Sequence, residues 1–156
     1  MESGPTSRLR ELGYELPEVP RPAGSYLPAV STGSLIFTAG QLPFQDGSLL
    51  YPGKVDDSVS VEEAQNAARI CALNALAAVG SEAGGLDNVV RIVKVTGYVA
   101  SASGFTRQPE VINGASDFLG EVFGEVGKHA RSAVGVAELP MNSSVEVEIV
   151  AEVGCY

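Results

Sequence analysis

Apolar residues recur along this chain with two different periods, and the switches between them mark its elements. Val145, Val147 and Ile149 alternate with Glu146 and Glu148, the period of a strand with one covered face, and predict a strand over Val145–Val153. Ala64, Ala68, Cys71, Ala75 and Val79 recur at helical spacing with Glu62, Gln65 and Arg69 on another side, which predicts a helix over Val61–Val79. Ser60 followed by Glu63 supplies a capping box at its start, and Gly80 with Gly84–Gly85 supplies its end. A second helix runs from Pro109 to Val126 on a stripe of Val111, Ala115, Phe118, Val122 and Val126. Between them, Val89–Ser101 reads as a strand with apolar residues at both parities, hence covered on both faces; the helices supply one cover and a partner subunit the other. Ser132–Ala137 is a further strand. Tyr26–Val30 and Leu35–Ala39, joined through Gly33, read as a hairpin, followed by a short strand near Leu49–Tyr51.

The order is β-β-α-β-α-β-β, an α+β arrangement in which two helices share one face of a mixed sheet. Residues 1–25 form an arm packed on the domain, a short helix over Thr6–Leu12 and then an extended stretch set by Pro17, Pro20 and Pro22; residues 26–156 form the domain itself. A hairpin between the last two strands, turning near Met141, would set Glu146 across from Val136 and leave Arg131 roughly 17 Å away along its strand. A site using both residues would then need two chains.

Composition narrows the chemistry. At 156 residues and 45% hydrophobic content the chain can bury a core without staples. Ten basic against 19 acidic residues give a net charge of -9, which argues against nucleic acid or an anionic membrane as partner. Two cysteines and one histidine leave no Cys/His zinc set and no defensible nucleophilic triad, and no metal or cofactor is called for. Cys71 reads as a small buried hydrophobe, Cys155 as an inert thiol near the terminus, and His129 as a turn histidine. The polar start, Met1–Arg10, lacks the apolar core of a secretion leader, so a cytoplasmic protein is expected.

Arg131 stands at the start of an apolar strand. Its guanidinium stays charged and offers a planar fork, so if it points inward it needs an acidic partner or a carboxylate ligand; the alternative is a rim residue or surface salt bridge. Glu146 and Glu148 present the same choice between a solvated face and a subunit contact. Ala39-Gly40-Gln41 ends a strand where bare backbone could approach a ligand, or simply turns.

The run from Ala130 to Pro140 with Val145-Glu146-Val147-Glu148, the strand end Leu35–Pro43, the Gly24-Ser25-Tyr26 turn and Asn113 in the second helix together resemble the RidA/YjgF family of reactive-intermediate deaminases. The resemblance covers most of the chain after Tyr26. It implies a chorismate-mutase-like fold assembled as a homotrimer with a cleft between subunits, binding a small carboxylate metabolite. It further implies that Arg131 grips the carboxylate of a 2-imino or 2-enamino acid, that Glu146 handles the water, and that Tyr26, Ala39, Gly40, Asn113 and Ala133 line the cleft. The chain departs from the family pattern at Ala133, where a cysteine is common, and at His129, where proline is usual. Hydrolytic deamination is the activity this implies; a non-catalytic carboxylate-binding trimer and an RNA-cleaving protein are the rivals.

Overall fold

The computed structural model describes residues 3–154. A short helix, α1 (Pro5–Glu11), is followed by strands β1 (Ala29–Thr32) and β2 (Leu35–Thr38), which pair antiparallel about Gly33, and by a two-stranded flap, β3 (Phe44–Gln45) and β4 (Ser48–Leu49). Then come α2 (Val61–Ala83), β5 (Val89–Ala100), α3 (Gln108–Phe123), β6 (Ala130–Val136) and β7 (Val145–Val153). Five strands form one mixed sheet in the order β1-β2-β7-β5-β6, in which β5 and β6 run parallel and the other pairs antiparallel.

α2 begins where the capping box places it: Ser60 Oγ accepts from the Glu63 amide and Glu63 Oε1 accepts from the Ser60 amide, an arrangement that contributes about 1 kcal/mol. The helix runs past Gly80 and ends at Gly84, whose left-handed conformation turns its amide back to the Gly80 carbonyl. Ala64, Ala68, Cys71, Ala75 and Val79 are fully buried, and these small side chains let α2 lie close over Val145, Val147, Ile149 and Ala151 of β7. α3 lies beside it on the same face through Val111, Ala115, Phe118 and Val122. Val126 does not extend that stripe. The α-helix ends at Phe123, a single 3-10 turn over Gly124–Gly127 rotates the chain, and Val126 is left exposed.

Two sequence expectations change. First, β6 and β7 are not a hairpin. β6 returns through α3 to lie parallel to β5, and β7 crosses to the other edge of β5, so β5 separates them. The connection carries positive φ at Met141 and Asn142; it is a crossing segment, not a hairpin turn. Second, the mixed parity of β5 comes from irregular register, where two covered faces were expected. Register shifts between Val89 and Arg91 and between Ile92 and Lys94 switch the face, so Val89, Ile92, Val95 and Val99 all enter the core while Val90 is exposed.

The arm packs along the helices: Leu9 is buried, the Thr6 amide donates to Asp87 Oδ1, and the Tyr14 ring meets Phe118 edge-on at 5.2 Å, a contact contributing about 0.5–1.5 kcal/mol. Among the described residues no helix covers the other face of the sheet. Val30, Phe37 and Val134 stand on it, 51%, 44% and 44% exposed. Among the described residues no helix is long and apolar enough to cross a membrane.

Candidate functional site

Register decides which face each candidate residue occupies. Side chains of directly paired residues point the same way. Arg131 pairs with Val95, which pairs with the buried Ile149, so Arg131 lies on the helix side. Glu146 pairs with Tyr98, which pairs with Val134, so Glu146 lies on the open side. Two strand spacings and three residues separate their backbones, about 14 Å, with the sheet between the side chains. One chain cannot bring them together.

Around Arg131 the sequence builds a cradle. Pro109, Asn113 and Ser116 recur at spacings of four and three, one ridge of α3, and β6 runs beneath that ridge. Arg131 Nη1 donates to Asn113 Oδ1 at 2.8 Å and to Ser116 Oγ at 3.2 Å, and Nη2 donates to the Pro109 carbonyl at 3.3 Å. A guanidinium has five N–H groups. Three are thus held by neutral acceptors; one remains on Nε and one on Nη2, the two nitrogens of the edge that takes a carboxylate in two parallel bonds. No carboxylate forms a salt bridge with Arg131 among the described residues. A 290 Å³ hollow beside it is lined by Ser116, Lys128 and His129. Ala133, two residues on, faces the same side and packs against the core.

On the open face, Gly40 and Glu146 are in contact. Gln41 exchanges amide and carbonyl hydrogen bonds with Val147 at 2.8 and 3.0 Å, which draws the strand end against β7. A Cβ at position 40 would lie 2.6 Å from Glu146 Oε1, so glycine is what admits the carboxylate there. Burial, and secondarily the charge of Glu148, raise the Glu146 carboxyl above its ordinary range. Glu148 is engaged differently: the Tyr98 hydroxyl donates to its Oε1 at 2.7 Å, and that bond, with burial next, pushes the Tyr98 phenol up to about 12. The carboxylate beside the glycine is therefore Glu146.

An 80 Å³ cleft adjoins Gly40, walled by Tyr26, Arg21, Phe44 and Met141 among others. Tyr26 is half exposed and its Oη accepts from the Ala23 amide at 3.1 Å, which ties the ring to the arm. Ala39 contributes backbone only: its amide donates to the Pro28 carbonyl and its carbonyl accepts from Gln41 Nε2.

The candidates thus separate into two half-sites, Arg131 with Asn113 and Ala133 on the helix side and Glu146 with Gly40, Ala39 and Tyr26 on the open side. Asn113 touches Arg131 and serves to hold it. Sequence reasoning missed Ser116 and His129 at the first half-site, although the spacing Pro109-Asn113-Ser116 carries the signal, and missed the arm's Arg21 at the second. Cys71 is fully buried; burial, and less so the Glu146 charge, push its thiol well up, so it is no nucleophile. Cys155 lies outside the described residues. Among those residues no cluster of three or more His, Cys, Asp or Glu could hold a metal ion.

Comparison with known proteins bears on this arrangement. The family described as "YjgF/chorismate_mutase-like, putative endoribonuclease" matches residues 6–153, a span that includes the arm from its first helix onward. The chain is 44% identical over 147 residues to Protein TCP17 of Trypanosoma cruzi, covering 94% of this chain and 92% of that protein. It is 30% identical over 132 residues to a 2-iminobutanoate/2-iminopropanoate deaminase of Dermatophagoides farinae, covering 85% and 88%. Protein Atu1372 of Agrobacterium tumefaciens, of unknown function, superposes with a TM-score of 0.89 at 42% identity, over 96% of this chain and 93% of that one.

Proposed function

The chain belongs to the YjgF/chorismate mutase-like family, and we propose that it hydrolyses small 2-imino or 2-enamino acids to 2-oxo acids and ammonia, in clefts between subunits of a homotrimer. The observation that carries this reading is the Arg131 guanidinium, pinned by three neutral acceptors and in no salt bridge with an acid among the described residues, with a two-pronged edge to spare. A 2-imino acid presents the planar anion that such an edge fits. The opposite-face placement of Glu146 supports an assembly in which one copy brings Arg131 and the next brings Glu146, Gly40 and Tyr26. The exposed Val30, Phe37 and Val134 on the sheet's open face provide apolar surface for that contact.

The reaction follows from these groups. Arg131 holds the carboxylate and so fixes the imine carbon. Glu146 accepts a proton from water as the water oxygen bonds to that carbon and the C=N electron pair moves to nitrogen, which takes up a proton from bulk solvent. Glu146 then returns its proton to the nitrogen, the C–N bond breaks with its electron pair leaving on ammonia, and the hydroxyl proton passes to solvent as C=O forms, replacing the one first taken. Such imines hydrolyse unaided, so positioning and acid–base help of about 10²–10⁴-fold is enough.

The test is hydrolysis of 2-iminopropanoate, generated in situ from alanine by an amino-acid oxidase. Acceleration is expected, and activity should fall on the acid side as pH drops through the Glu146 range, which lies above that of an ordinary glutamate because burial raises it. The protonated carboxyl cannot take water's proton. Saturable binding of 2-oxo acids without turnover would instead indicate a binding module, and loss of activity only at or below ordinary glutamate pH would remove Glu146 from the mechanism.

A further inference from the structure

Arg131 does not rest on a passive hydroxyl. His129 Nδ1 lies 2.6 Å from the Gly127 carbonyl oxygen, and His129 Nε2 lies 2.9 Å from Ser116 Oγ, the atom that receives Arg131 Nη1. A carbonyl oxygen can only accept, so Nδ1 carries the proton. In the neutral ring Nε2 then holds the lone pair. Ser116 must donate its single O–H to Nε2, and the oxygen's lone pairs are left for the guanidinium.

We propose that His129 and Ser116 are positioning residues for Arg131, forming a one-directional chain that begins at the Gly127 backbone carbonyl and ends at the guanidinium. This rests on the reading of Arg131 as the carboxylate clamp. Each link removes a freedom: the carbonyl sets the tautomer, the tautomer sets the hydroxyl rotor, and the rotor presents a lone pair to Nη1. Asn113 and the Pro109 carbonyl hold the other two N–H groups, so the edge formed by Nε and Nη2 keeps a constant aim. Neither His129 nor Ser116 needs to touch substrate. The pairing also gives His129 a defined task.

The experiment combines nitrogen-15 spectra of the full-length protein with calorimetric binding of pyruvate. At about pH 8 the parent should show His129 carrying its proton on Nδ1, the minor tautomer of free histidine, and separate slowly exchanging Nη signals for Arg131. Ser116→Ala should merge the Nη signals and weaken pyruvate binding about 3- to 10-fold, the size of one ordinary hydrogen bond. Ser116→Thr should restore both. His129→Ala should act in the same direction, and the double variant should be no weaker than Ser116→Ala alone, because the residues act in series. An Nε2-protonated ring in the parent overturns the proposal, as does a Ser116→Ala variant with parental Nη signals and parental affinity. Parental pyruvate affinity in Arg131→Ala would overturn the clamp reading instead, while the tautomer and Nη signals still decide the relay.

Discussion

Arg131→Ala should lower kcat/KM for 2-iminopropanoate by about 10²–10⁴-fold while leaving the fold and its thermal midpoint close to the parent's. The size follows from what is lost: two charge-assisted hydrogen bonds at about 1.5–3 kcal/mol each, made to the one group of the substrate that does not react. The fold should tolerate the change because Arg131 is only half buried near the start of an edge strand, and its partners Asn113, Ser116 and the Pro109 carbonyl can turn to water. Arg131→Lys should recover little. An ammonium keeps the charge but offers no planar fork and cannot span Asn113, Ser116 and Pro109 together. A variant that folds and retains parental kcat/KM would remove the clamp from the mechanism.

Glu146→Gln should act on the other half-site, with a different signature. The amide is nearly isosteric and fits beside Gly40, so substrate should still bind and KM should change little, but it cannot take a proton, so kcat should fall about 10²–10⁴-fold. Stability should move the opposite way. Burial raises the Glu146 carboxyl in the folded state, so the folded protein binds that proton more tightly than the unfolded chain. The contribution is therefore favourable at low pH and is lost as pH rises through the raised value, leaving a cost at neutral pH. Removing the charge should raise the thermal midpoint at neutral pH and narrow the gap at acid pH, read by unfolding scans across pH. Glu148→Gln should instead disturb the bond from Tyr98 with less effect on kcat. Equal losses of kcat in the two variants would contradict the assignment of Glu146 as the working carboxylate.

What was legible in the chain was mostly local. The Ser60–Glu63 capping box and the Val-Glu alternation of β7 depend on neighbours a few residues apart, and both stand where the pattern places them. The family resemblance supplied the fold, and with it the pair Arg131 and Glu146. What could not be read was non-local. Nothing in β6 itself says that it pairs with β5 across an intervening helix, rather than with β7 beyond a short connection. The register shifts in β5 change facing without changing composition, so Val90 and Ile92 looked equivalent although one is exposed and the other buried. The hairpin distance that suggested a two-chain site is absent from this fold; what separates Arg131 from Glu146 is their placement on opposite faces of one sheet. His129 illustrates the same limit. As a lone histidine before a strand it had no visible side-chain partner, because Ser116 reaches it only after α3 has turned back onto the sheet.

Subunit mixing tests the central claim most directly. Purified Arg131→Ala and Glu146→Gln proteins, each inactive alone, are combined, dissociated and allowed to reassemble, with exchange verified by mass. If every cleft joins an arginine from one copy to a glutamate from the next, random reassembly of a ring restores about a quarter of the parental activity, since one cleft in four receives both intact residues. Mixtures that have exchanged subunits yet stay inactive would contradict a site shared between chains.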